Sequence, residues 1–160
     1  MPQLYHPAVQ HILFFALLLL AATVFALLEV QIEGADGWAA RLPTWRVRNR
    51  FTERFLGARA ITGYHLYVHL FVLLFAHLPY AVVPDAWAWL VELRIIAFII
   101  LFWILEDFLW FVFNPHYGLR RFRPEDAWWH AATWWGPMPR DYWIFLPLGL
   151  ALYLAAALGR

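Results

Sequence analysis

His65 and His69 stand four residues apart in Ile61 to His77, a stretch apolar enough to lie in a bilayer. An imidazole in hydrocarbon is costly and points to a ligand, a proton path or an interhelical bond. At this spacing on a helix the two rings are about 40° apart in azimuth and one turn apart in height, so both reach one ion or one cofactor. A second polar interruption, Glu106-Asp107, breaks the apolar run within Trp87 to Phe113, and His116 and His130 follow in the next polar connection. The chain has no cysteine, which excludes disulfides, thiolate metal sites and iron–sulfur clusters. A metal here would take His, Asp, Glu or solvent, a set suited to iron, manganese or zinc. Iron in such a site activates dioxygen, and zinc activates water.

The elements that must position these groups are membrane elements. Of 160 residues, 64% are hydrophobic and 14% charged, far from the composition of a soluble globular domain. The length suits one membrane domain, 1-160, an all-α four-transmembrane-helix bundle with interfacial helical connections. The expected spans are 8-30, 61-78, 90-113 and 142-158. The first opens without Lys or Arg, unlike a secretory signal, and reads as a retained span with His6 and His11 as interfacial polar groups. Pro79 and Pro84 stop the second, Asn114-Pro115 stops the third, and Pro147 is expected to kink the fourth.

All twelve basic residues are arginine, and ten lie in the two connections 31-60 and 114-141. The positive-inside rule then makes both connections cytoplasmic and puts both termini on the non-cytoplasmic side, as in a bacterial or archaeal inner (plasma) membrane protein. In the first connection Trp45, Phe51, Phe55 and Leu56 alternate with arginines, which suits a segment lying on lipid. In the second, Pro124, Glu125, Asp126 and Gly136 predict a short helix over Pro124 to Trp135, interfacial because of its tryptophans.

Antiparallel spans can be compared in depth. His65 lies roughly 6 Å and His69 about 12 Å from the cytoplasmic end of their span, while Glu106 and Asp107 lie roughly 10 to 12 Å from the same end of theirs. The candidate metal ligands are therefore His65, His69, Glu106, His116 and His130, with Glu106 and Asp107 as candidate catalytic carboxylates. Arg120, Arg121 and Arg123 are placed to hold an anionic lipid headgroup. Trp103, Trp110 and Phe113 share a helical face with Glu106, either as pocket wall or as plain packing. His77 falls on the far half, away from the site.

The HxxxH pair on a small membrane bundle resembles one box of the histidine-box fatty-acid desaturases and hydroxylases. That resemblance covers one box, HxxHH occurs nowhere in the chain, and di-iron chemistry would require Glu106 and Asp107 in place of histidines. Three functions stay open at this level. The first is a metal-dependent membrane enzyme, an iron oxygenase or hydroxylase or a zinc hydrolase, acting on a lipid or other hydrophobic substrate at the cytoplasmic leaflet. The second is a b-type haem electron-transfer protein, its second axial histidine coming from another segment. The third is a non-catalytic accessory or lipid-binding subunit, in which HxxxH makes interhelical bonds and Glu106-Asp107 pairs with arginine. The partners open to such a chain are membrane lipids, a hydrophobic substrate and a second copy or another membrane subunit. Nucleic acid is not among them, because topology accounts for the arginines.

Overall fold

A computed structural model describes residues 6–57 and 59–159, and the chain there is mostly helical. Arg160, one of the arginines outside the two connections, lies outside the described residues. Three helices are long and apolar enough to cross a membrane: α1 (Pro7–Glu33), α5 (Trp89–Phe113) and α7 (Arg140–Leu158). Their 27, 25 and 19 residues give about 40, 38 and 28 Å of helix against a hydrocarbon core of about 30 Å. The second expected span is shorter than its apolar run. Helix α3 covers Gly63–Ala76, 14 residues and about 21 Å, and a separate α4 (Leu78–Val82) follows after His77. Ile61–Thr62 belongs instead to a two-residue bridge, β2, paired antiparallel with β1 (Arg46–Val47).

Helix α5 is the centre of the bundle, packing along α1 and α7 and less extensively against α3. Small residues make the close approaches possible. Ala22, Ala26 and Ala97 are fully buried, and a Cβ built on Gly149 of α7 would come within 2.8 Å of the Leu101 side chain on α5. The outer faces carry large apolar residues: Leu17, Leu20 and Val24 of α1 are each more than half exposed, as hydrocarbon-facing side chains are. One buried cluster joins Leu18 and Ala22 to Leu101 and Phe102 at mid-height. A second joins Ala26 and Val30 to Trp110, Phe111, Ala127 and Trp129 at the arginine-rich end.

The arginine-rich connections fold back onto that end. Asn114, buried where α5 stops, donates from Nδ2 to the Gly34 carbonyl (2.7 Å) and accepts from the His116 amide (3.0 Å), which ties the loop after α1 to the loop after α5. In the first connection Arg46 donates to the carbonyls of Ala39, Ala40 and Leu42, so it closes a loop. Helix α2 (Arg50–Leu56) starts in a reciprocal cap: Asn49 Oδ1 accepts from the Thr52 amide (3.0 Å) and Thr52 Oγ1 from the Asn49 amide (2.9 Å). Gly63, the first residue of α3, lies so close under Trp45 that a Cβ there would meet Nε1 at 2.5 Å.

The expected helix over Pro124 to Trp135 is corrected to four residues, α6 (Trp128–Ala131). On its N-terminal side the amides of Asp126 and Ala127 both return to the Arg123 carbonyl in a turn, with the Asp126 carboxylate paired to Arg123. On its C-terminal side β3 (Trp134–Trp135) pairs with β4 (Met138–Pro139) around Gly136, whose φ of 60° suits glycine. Helix α7 continues through Pro147.

Candidate functional site

A cavity of about 280 Å³ opens among α1, α3, α5 and α7 at the arginine-rich end of the bundle. Each helix brings polar groups to it for a local reason. Near its C-terminus α1 carries Glu29 and Glu33, an i, i+4 pair on one face. The helix ends at Gly34, whose amide returns to the Val30 carbonyl (3.0 Å). Glu33 Oε1 accepts from the Ala39 amide at 2.5 Å and lies 3.6 Å from His65 Nε2.

Helix α3 begins with its site. Thr62, the N-cap, accepts from the His65 amide (3.1 Å), and its Oγ1 also meets His65 Nδ1 at 2.7 Å. That leaves His65 Nε2 turned toward Glu33. The ring stacks on Trp38 with centroids 4.0 Å apart, and the Arg59 guanidinium sits over the same indole at 5.0 Å. One turn on, His69 Nδ1 donates to the His65 carbonyl at 2.7 Å. A carbonyl can only accept, so this bond fixes the proton on Nδ1 and leaves Nε2 of the neutral ring as the lone-pair nitrogen. The His69 ring is held flat against Trp103 at 4.0 Å.

On α5 the adjacent carboxylates have different surroundings. Asp107 accepts from Tyr142 of α7 (2.6 Å) and from His130 Nε2 of α6 (3.1 Å). Glu106 is 6% exposed, and its Oε1 has no hydrogen-bond partner. Two further buried atoms of lining residues are unpartnered, Trp110 Nε1 and His130 Nδ1. Asp141, at the start of α7, is bonded by Arg59 (2.8 Å) and Arg140 (3.1 Å). The cavity is thus lined by the carboxylates of Glu29, Glu33, Glu106, Asp107 and Asp141 and by a single arginine, Arg59, which Asp141 occupies. Trp38, Trp103, Ile104, Trp110 and Phe145 make its apolar walls, and Phe145 is 42% exposed on the outer face of α7.

His65, His69, Glu106, Asp107 and His130 therefore lie around one cavity. His116 does not: it is exposed in the turn after α5. Arg120, Arg121 and Arg123 are exposed as well and do not line the cavity. Arg121 donates to the His116 carbonyl (2.9 Å), and Arg123 pairs with Asp126. Of the aromatic stripe, Trp103 and Trp110 line the cavity and Phe113 does not. His77 is at the opposite end. Its Nδ1 donates to the Leu73 carbonyl (2.7 Å) and its Nε2 to Glu92 (3.2 Å).

Sequence reasoning missed Glu29, Glu33, Arg59 and Tyr142. The signal for the first two was present: they lie at the same depth as the His pair and share a helix face. As the side chains stand, no group of three His, Asp or Glu among the described residues has the spacing to hold a metal ion. Comparison with protein-family models, with curated proteins and with solved structures gave no match to the chain.

Proposed function

We propose that this chain is a metal-dependent integral membrane enzyme acting on a hydrophobic substrate at the arginine-rich leaflet. The observation that carries the reading is the charge of the cavity. Five carboxyl groups line it; two arginines hold Asp141 and His130 with Tyr142 holds Asp107, which leaves Glu29, Glu33 and Glu106 with no arginine partner among the described residues, in a setting where an uncompensated carboxylate costs several kcal/mol. A cation relieves that cost, and the donors present are oxygen and imidazole nitrogen, the set that iron, manganese and zinc take.

His65, His69 and Glu106 remain in the proposed ligand set, and Glu29 and Glu33 take the place of His116. The hydrogen bonds behind the rings fit that role. Metal-bound histidines commonly donate one ring nitrogen to a carbonyl or polar neighbour and offer the other, the arrangement of His69 with the His65 carbonyl. His130, held by Asp107, stands beside the set as an acid–base partner. When bound, the metal would supply Lewis acidity or oxygen activation, and the tryptophan walls would exclude water from the apolar part of the substrate. Phe145, exposed on the membrane face of α7, marks a lateral way in.

In this reading α3 with α4 forms the fourth membrane element, and the arginine-rich connections face the cytoplasm under the positive-inside rule, with the termini opposite. Metal analysis of the purified full chain tests the proposal. Wild type loaded anaerobically with iron, manganese or zinc should hold at least one equivalent, and Glu33→Gln and His69→Ala should each lose it while melting as cooperative folded proteins in detergent. A wild type that binds none returns the cavity to the lipid-binding reading, and a Soret band returns it to haem.

A further inference from the structure

At the opposite end of the bundle, away from the proposed metal site, a second cavity of about 220 Å³ lies between α1, α5 and α7, lined by Gln10, His11, Leu13, Phe14, Leu17, Arg94 and Tyr153. Arg94 is five residues into α5, so its Cα is roughly 7 to 8 Å along the helix from Trp89. A guanidinium at this depth needs an anion or a path to the headgroups. Among the described residues one neutral acceptor, Gln10 Oε1, lies 3.3 Å from Nη1, and Arg94 Nε is buried without a partner. Glu92, the nearest acid on the same helix, is taken by His77 (3.2 Å) and by the Tyr80 hydroxyl (3.0 Å). Among the described residues Arg94 makes no ion pair.

The rest of the pocket fits an amphiphile. His11 and Tyr153 hydrogen-bond each other and close one side with polar atoms. Leu13 and Leu17 close the other, and both are well exposed, at 45% and 57%, so the pocket continues into an apolar strip of α1 that faces hydrocarbon. We infer that Arg94 holds the oxyanion headgroup of a membrane lipid, with the phosphate against the guanidinium fork and an acyl chain along Leu13 and Leu17. A planar guanidinium with free donors matches a phosphate in two-pronged geometry, and the low dielectric of the site strengthens the pair. The pocket does not share residues with the proposed metal set, so either reading can fail alone.

The test reconstitutes the full chain in vesicles of equal parts phosphatidylglycerol and phosphatidylcholine, re-extracts it in detergent and measures retained lipid by native mass spectrometry. Wild type should retain phosphatidylglycerol in preference to phosphatidylcholine. Arg94→Gln should weaken that retention about tenfold or more, the loss of a charge-assisted hydrogen bond. Leu17→Trp, which blocks the acyl strip and leaves every charge in place, should also reduce it without lowering the melting temperature, which covers the case that Arg94→Gln fails to fold. Arg48→Gln, an exposed arginine at the other end, should change nothing. Equal retention of the two lipids by wild type overturns the inference. So does retention unaffected by Leu17→Trp, or inorganic phosphate protecting the protein against heat as well as the anionic lipid does at the same concentration.

Discussion

His69 donates its Nδ1 proton to the carbonyl of His65 at 2.7 Å, so two residues chosen by the sequence for their shared helical face are also joined by a hydrogen bond. The bond sets the tautomer: Nε2 is the nitrogen left for a ligand, and stacking on Trp103 holds the ring's plane. His65 is oriented in a parallel way by the Thr62 cap. Thr62→Val should therefore lower metal affinity about tenfold or more, as loss of an outer-shell partner does, in a chain that still folds. Competition with a calibrated chelator measures it.

Asp107 joins three elements, accepting from His130 of α6 and Tyr142 of α7 while belonging to α5. Asp107→Ala strands two buried donors and should destabilise the protein by about 2 to 4 kcal/mol, whereas Tyr142→Phe, which removes one donor, should cost about 1 kcal/mol. Denaturation in mixed micelles separates the two.

Gly149 sets the approach of α7 to α5. Gly149→Ala puts a methyl group within 2.8 Å of Leu101 and should cost about 1 to 3 kcal/mol, the usual range for an overfilled core. Adding Leu101→Ala should recover part of that loss. Additive losses in the double mutant would contradict the contact.

His77 ties the end of α3 to the start of α5 through Glu92 at 3.2 Å. His77→Gln should lower the melting temperature in detergent, and an unchanged melting temperature would contradict the tie.

How much of this was legible in the sequence follows from what each signal depends on. Apolar length and arginine placement gave α1, α5 and α7 close to their ends, because hydropathy over twenty residues is a local property. Depth counting brought Glu106 to the level of His65 and His69 for the same reason. His116 was misplaced because depth says nothing of direction: it sits in a turn fixed by Asn114, and its side chain faces outward. Glu29 and Glu33 went unused because they read as the polar end of a span, and only the fold-back of Trp38 and Ala39, both at positive φ, makes that end an inner wall. The helix expected over Pro124 to Trp135 gave way to turns and a hairpin whose pairing partner, Met138–Pro139, lay beyond the window.

Anomalous diffraction from metal-loaded crystals tests the central claim most directly. The expected result is a peak at the metal's absorption edge between α1, α3 and α5, about 2.0 to 2.2 Å from His65 Nε2 and from a Glu33 oxygen. Loaded crystals with no peak in that cavity, or with density only at surface histidines such as His6 or His116, would contradict it.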